Sequence, residues 1–197
     1  MRMAMSIAAV FAVILLGSVL VCCGKESGEM KETIDTNGKK VLIACFSRTG
    51  NTRTVAQLLQ QATGGDLFEI EPAHPYPATY GAVAAQAKKE IKAGIYPELK
   101  DSLPNISDYD VIFIGSPNWW NTIAPPVSSF LSGHDLSGKT IATFITHGGS
   151  GLGNSVGDVS KICPDSRVVQ GLEIYGTSAG RSQKDVINWL EKLDLFR

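Results

Sequence analysis

Val41-Leu42-Ile43-Ala44-Cys45-Phe46, followed at once by Ser47-Arg48-Thr49-Gly50-Asn51-Thr52, is the stretch on which the fold turns. Six apolar residues bounded by turn formers suit a strand covered on both faces, since a strand with one wet face alternates apolar and polar positions. The polar loop runs directly into residues 52–61, where Val55, Leu58 and Leu59 recur at helical spacing. A buried strand, a short loop and a helix together make the opening of a crossover unit.

The same alternation continues outward. Residues 66–70 form a short second strand, then Pro72, Pro75 and Pro77 punctuate a long loop before a helix over 80–93. Val111-Ile112-Phe113-Ile114-Gly115 repeats the buried-strand pattern, and Pro125-Pro126 opens a helix through 127–131. Strands follow at 140–146 and 167–175, separated by a Gly-rich loop and a weak helix over 156–162. Residues 182–195 close the chain with an amphipathic stripe of Val186, Ile187, Leu190 and Leu193. Five strands alternating with helices predict an α/β fold with a parallel sheet covered on both faces, because each crossover helix must bury one face. In such sheets ligands sit at the carboxyl ends of the strands, near a reversal of strand order. The loops after the first, third and fourth strands are therefore expected to converge on one site.

Length and charge narrow the classes. A chain of 197 residues holds one ordinary domain and a tail. With 18 Lys+Arg against 19 Asp+Glu, it lacks the basic excess that nucleic-acid backbones require. The four cysteines show no C-x-x-C spacing, and His74, His134 and His147 have no metal-ligand spacing, so no metal site is expected. Cys45 and Cys163 are read as two separately buried thiols.

Before the domain, Arg2 precedes an apolar run from Met3 to Cys22, and Gly24-Lys25-Glu26 follows. A basic start, an apolar centre and small residues at the end describe an export signal over residues 1–22. Leu20-Val21-Cys22-Cys23 is similar to a bacterial lipoprotein cleavage box with Cys23 as the lipidated residue, although Cys22 stands where Gly, Ala or Ser is usual. An uncleaved anchor is the alternative, since about 20 apolar residues also span a bilayer. Either reading places the protein outside the cytoplasm, anchored to a membrane. Residues 23–39 read as a flexible tether, and the domain is expected over 40–197. Loss of Arg2 with the leader makes the net charge −2.

Three loops carry the candidate chemistry. Ser47 to Thr52 offers hydroxyls, a glycine and the free N–H groups of a helix start, which together form an anion cradle. The Gly-Lys-Ser/Thr ending of a nucleotide P-loop is missing, and plain N-capping by Asn51 or Thr49 is the alternative. Pro117-Asn118-Trp119-Trp120-Asn121-Thr122 places two tryptophans side by side at a strand's carboxyl end, where they either stack on a planar ligand or cover the sheet edge. Thr146-His147-Gly148-Gly149-Ser150-Gly151-Leu152-Gly153 lets backbone approach a ligand closely. It matches neither a dinucleotide fingerprint nor a nucleophile elbow. His147 serves either a ligand contact or a structural role.

Taken in order, these three loops resemble those of the flavodoxin family, over residues 40 to 197 and closest to its stand-alone bacterial branch. The resemblance implies a three-layer sandwich with strand order 2-1-3-4-5 and flavin mononucleotide (FMN) at the sheet edge. It implies that Ser47, Arg48, Thr49, Gly50, Asn51 and Thr52 hold the phosphate. Pro117, Asn118, Trp119, Trp120, Asn121, His147, Gly148 and Gly149 would frame the isoalloxazine, with Ser150 and Gly153 nearby. Asn121 stands where this branch often has glycine. Arg48 and Arg53 near the phosphate loop would favour reduced, anionic flavin. The function implied is electron transfer to a small conjugated acceptor such as a quinone, with Tyr76 and Tyr80 on the acceptor side. The alternatives are a tethered electron carrier serving a redox protein, and a flavin-binding lipoprotein without turnover.

Overall fold

The computed structural model describes residues 33–196. The export segment, Cys23 and most of the expected tether lie outside the described residues. Five strands, β1 (Val41–Cys45), β2 (Asp66–Glu69), β3 (Val111–Pro117), β4 (Thr140–His147) and β5 (Arg167–Tyr175), form one sheet. All pairs are parallel and the order is β2-β1-β3-β4-β5, as the resemblance implied. The helices are α1 (Asn51–Thr63), α2 (Tyr80–Ala93), α3 (Pro125–Ser132), α4 (Ser155–Ile162) and α5 (Gln183–Leu193). Among the described residues no helix is long and apolar enough to cross a membrane.

The period of two along the central strands separates two cores. Val41, Ile43 and Cys45 face the same side as Phe113 and Phe144, where α1 and α5 supply Val55, Leu59, Val186 and Leu190. Leu42, Ala44, Ile112, Ile114, Ile141 and Ile145 face the other side with Val127, Phe130 and Val159 of α3 and α4. This is why β1 and β3 read as continuous apolar runs and why β4 buries even Thr143: neither face is wet. Each such fully buried Leu, Ile or Phe contributes about 1.5–3 kcal/mol from burial. Cys45 and Cys163 lie in different cores and are free thiols, as expected. Burial pushes Cys45 up to about 12 and Cys163 up to about 11.

Two local features lay outside the sequence reading. Residues Gly176–Arg181 form a 3₁₀ turn between β5 and α5, while α5 itself falls within the expected 182–195. At the other end, residues 34–39 of the expected tether are fastened to the domain. The Ile34 N–H donates to the Ala62 carbonyl at 2.8 Å, and its side chain packs on the α1/α5 core. Asn37 and Lys39 donate to the carbonyls of Phe196 and Leu195. One isolated apolar residue carries no period, yet it suffices to hold a short segment once the core offers a place for it.

Candidate functional site

The order of strands places the carboxyl ends of β1 and β3 side by side at the point where connections leave in opposite directions, which opens a crevice there. The loop after β1 ends at Gly50, whose φ of 91° needs a residue without Cβ strain. This left-handed turn starts α1, and no side chain caps it. Capping by Asn51 or Thr49 is therefore not what the loop does. The N–H groups of the first turn are left for an acceptor outside the helix. The Ser47 hydroxyl is buried without a hydrogen-bond partner, which a bound anion's oxygen would satisfy. Thr52 is 2% exposed and its hydroxyl bonds that of Thr146 at 2.8 Å, so only its backbone amide is available.

The two arginines part company. Arg48 Nη2 donates to the Ala78 carbonyl at 2.5 Å, and the side chain lines the cleft. Arg53 is ion-paired with Glu69 across to β2. The positive field expected from both residues thus reduces to Arg48, because the Glu69 carboxylate compensates Arg53.

The loop after β3 is a tight hairpin. Trp119 N–H donates to the Thr122 carbonyl at 2.9 Å and Thr122 N–H returns to the Trp119 carbonyl at 3.1 Å. Trp120 and Asn121 between them both have positive φ, 53° and 70°, which makes a type I′ turn. Left-handed backbone is uncommon for any residue with a Cβ and least so for Asn, so Asn121 fits where the family often has glycine; a bulky Trp there is an outlier. The strain holds the two tryptophans apart. Trp119 is packed edge-on against Phe46 at 5.4 Å and Tyr76 at 5.0 Å, covering the sheet edge with its body while its rim lines the cleft. Trp120 is 52% exposed; its indole N–H donates to the Ala84 carbonyl at 2.9 Å, and Lys88 Nζ lies 4.4 Å over its ring.

The loop after β4 is braced from within. His147 Nδ1 accepts the Gly149 N–H at 2.9 Å, and its ring meets Tyr175 edge-on, so His147 shapes the loop and is not among the residues lining the cleft. Asn118 Nδ2 donates to the Gly151 carbonyl at 2.8 Å and ties the second loop to the third. Gly153 lies behind the hairpin: a Cβ there would stand 2.5 Å from the Asn121 carbonyl oxygen.

Together the loops border an open cleft of about 420 Å³. Asn118, Trp119, Trp120, Asn121, Gly148 and Ser150 line it with Arg48. Its remaining wall is α2, through Tyr80, Val83, Ala84 and Ala87, and the sequence reading missed all of these but Tyr80. The available signal was the run of small residues on α2, which leaves room beside a helix. Tyr80 is 81% exposed at the rim. Tyr76, paired with it in the sequence reading, instead lies beneath Trp119 and donates to the buried Glu90 carboxylate at 2.5 Å. Burial, then that hydrogen bond and charge, push its phenol well above the ordinary range.

A doubly wound parallel sheet with an uncapped anion cradle beside an aromatic cleft defines a flavodoxin-like protein. A flavodoxin family model matches residues 40–193, and the chain belongs to that family. Two of the most similar solved structures are candidate flavoproteins from Bacteroides species. That of Bacteroides eggerthii is 35% identical, with a TM-score of 0.71 over 79% of this chain and 98% of its own. That of Bacteroides uniformis is 31% identical, with a TM-score of 0.70 over 78% of this chain and 99% of its own. A Lactobacillus acidophilus flavoprotein solved in complex with FMN shares the fold at 23% identity, with a TM-score of 0.57 over 73% of this chain and 97% of its own. A search of curated proteins returned no match.

Proposed function

We propose that the chain binds FMN in this cleft and is an oxidoreductase that passes electrons to a small conjugated acceptor such as a quinone. The observation that carries the cofactor reading is the uncapped start of α1 beside the unpartnered Ser47 hydroxyl, opening on a cleft walled by Trp119 and Trp120. Backbone N–H groups of residues 51–53, the Ser47 hydroxyl and Arg48 would hold the phosphate. Asn118, the 119–122 hairpin, Gly148 and Ser150 would hold the ring. FMN, when bound, supplies the two-electron chemistry, and the protein supplies position and field. A quinone-type acceptor gains two electrons and two protons and leaves as the hydroquinone. Bound FMN would supply those electrons and protons, replenished by a hydride donor of the reduced-nicotinamide class and one solvent proton, while the chain holds the ring and admits the acceptor. The wide opening of the cleft supports a small acceptor, since Tyr80 and Trp120 leave its outer side accessible.

The leader sequence supports export and anchoring through a lipid on Cys23. On that reading the mature chain begins at an acylated Cys23, which mass spectrometry of the N-terminal peptide would find, whereas an uncleaved anchor retains residues 1–22 unacylated. The functional test is an absorption spectrum of the purified protein titrated with FMN, then anaerobic reduction and mixing with a soluble quinone. Flavin bands near ~370 and ~450 nm that shift on binding, followed by quinone-dependent reoxidation, are the expected result. A protein that takes up no FMN at high micromolar concentration overturns the cofactor reading. One that binds FMN yet passes electrons only to another protein is a carrier.

A further inference from the structure

Two of the five large apolar side chains exposed on the described surface, Tyr80 and Trp120, stand at the rim of the same cleft. Aromatic area left in water at a cleft mouth marks a place where a planar partner stacks. Two carboxylates flank the loops at that mouth and both are engaged: Glu173 accepts the Leu152 N–H, and Asp158 accepts from Thr122 and Lys161. No carboxylate lines the cleft, and its one charged lining residue is Arg48. Beside it, α2 carries Lys88, Lys89 and Lys92 on its exposed side. Its only acid, Glu90, is 8% exposed and occupied by donors from Tyr76 and Gln86. In a chain of net charge −1, this local positive field is a property of the site and not of the whole surface. Lys88 is the placed charge: its ammonium sits 4.4 Å over the Trp120 ring, held there by the ring's own quadrupole. A planar ligand that meets the edge of Trp120 at the rim would bring a ring substituent near that ammonium.

Resting on the oxidoreductase reading above, we infer that the acceptor is an anionic planar compound, a conjugated ring bearing a carboxylate or sulfonate, with Lys88 as its specificity-determining residue. A neutral ring gains the stacking alone. A cationic ring meets the α2 lysines and is repelled.

The test uses the FMN-loaded protein and redox-inert probes, so that binding is read apart from turnover. Naphthalene-2-sulfonate and 2-methylnaphthalene are titrated against tryptophan fluorescence and the flavin absorption bands. The sulfonate is expected to bind several-fold more tightly. Lys88→Gln should weaken the sulfonate about fivefold, the scale of one exposed charge pair, and leave the neutral probe unchanged. Lys92→Gln, one turn further along α2, should change neither, since only Lys88 lies over the Trp120 ring, and Lys88→Arg should restore the preference. Raising salt from about 50 to 500 mM should weaken only the sulfonate. Equal affinity for the two probes overturns the inference, as does a Lys88→Gln effect on both probes or on neither. A protein that takes up no FMN removes the oxidoreductase reading and this inference with it. A loaded protein that is reoxidised by a neutral quinone but shows no preference for its sulfonated analogue keeps the function and overturns only the inference.

Discussion

Gly153 and Gly157 stand four residues apart, and the same change at each should have opposite effects. At Gly153, φ is 55°, and an added Cβ would lie 2.5 Å from the Asn121 carbonyl oxygen, 2.6 Å from its Oδ1 and 2.9 Å from its carbonyl carbon. A left-handed residue with a Cβ costs about 1–2 kcal/mol, and forcing a methyl into filled space costs about 1–3 kcal/mol more. Gly153→Ala should therefore lose about 2–5 kcal/mol, a large part of the ~5–15 kcal/mol that holds a domain together. With a urea slope of about 2 kcal/mol per molar, its midpoint should fall by roughly 1–2.5 M. At Gly157, inside α4, a Cβ would have no heavy atom within 4 Å. Gly157→Ala should instead gain about 0.5–1 kcal/mol from helix propensity and a less flexible unfolded chain.

The pair also tests how the hairpin is held. The Asn121 carbonyl accepts the Asn154 N–H at 2.8 Å, so the 119–122 turn leans on the segment that contains Gly153. Room for the new methyl comes only by moving that turn outward, which displaces Trp120 and Asn121 from the cleft. FMN titrations should then show Gly153→Ala binding about tenfold more weakly, equivalent to about 1.4 kcal/mol, and Gly157→Ala binding as the parent does. An unchanged urea midpoint in Gly153→Ala refutes the steric argument. A lowered midpoint with FMN affinity intact refutes the coupling between Gly153 and the cofactor site.

Two further outcomes follow from other parts of the molecule. Arg48→Gln should weaken FMN about tenfold or more by removing a charge-assisted contact, and should leave riboflavin binding, which has no phosphate, nearly unchanged; equal losses for both ligands would move Arg48 away from the phosphate. The buried thiols predict alkaline sensitivity. Cys45 and Cys163 are raised from an ordinary 9.0 to about 12 and about 11, so the folded state holds their protons more tightly than the unfolded chain. Their contribution is complete below the unfolded thiol range and is lost as pH rises through it toward the folded values. At about 1.4 kcal/mol per thiol per pH unit, stability should fall by about 2–3 kcal/mol between pH 8 and 10. Urea midpoints across that range, with a thiol reagent that labels neither cysteine until unfolding, would check it; a flat profile refutes it.

The layers and the three loops are legible in the order of residues alone. The apolar runs at 41–46 and 111–114 and the strand-like stretch at 140–146, alternating with helical periods, point to a parallel sheet covered on both faces whose site lies at its carboxyl edge. Gly50, the Trp119-Trp120 pair and the glycines after His147 were legible because each departs from what a plain loop or helix needs. Which polar atoms are already spent becomes visible once the chain is packed. Thr52 is bound to Thr146, Arg53 to Glu69, His147 to its own loop, and Tyr76 to Glu90. These partners lie far apart in sequence, or depend on a rotamer, and a local pattern contains neither. The α2 wall of the cleft escaped for the same reason: Val83, Ala84 and Ala87 form an ordinary helix face until packing brings it opposite the hairpin. Local residue chemistry sets periodicity and loop character, whereas the satisfaction of polar groups and the empty volume between elements exist only after the chain has packed.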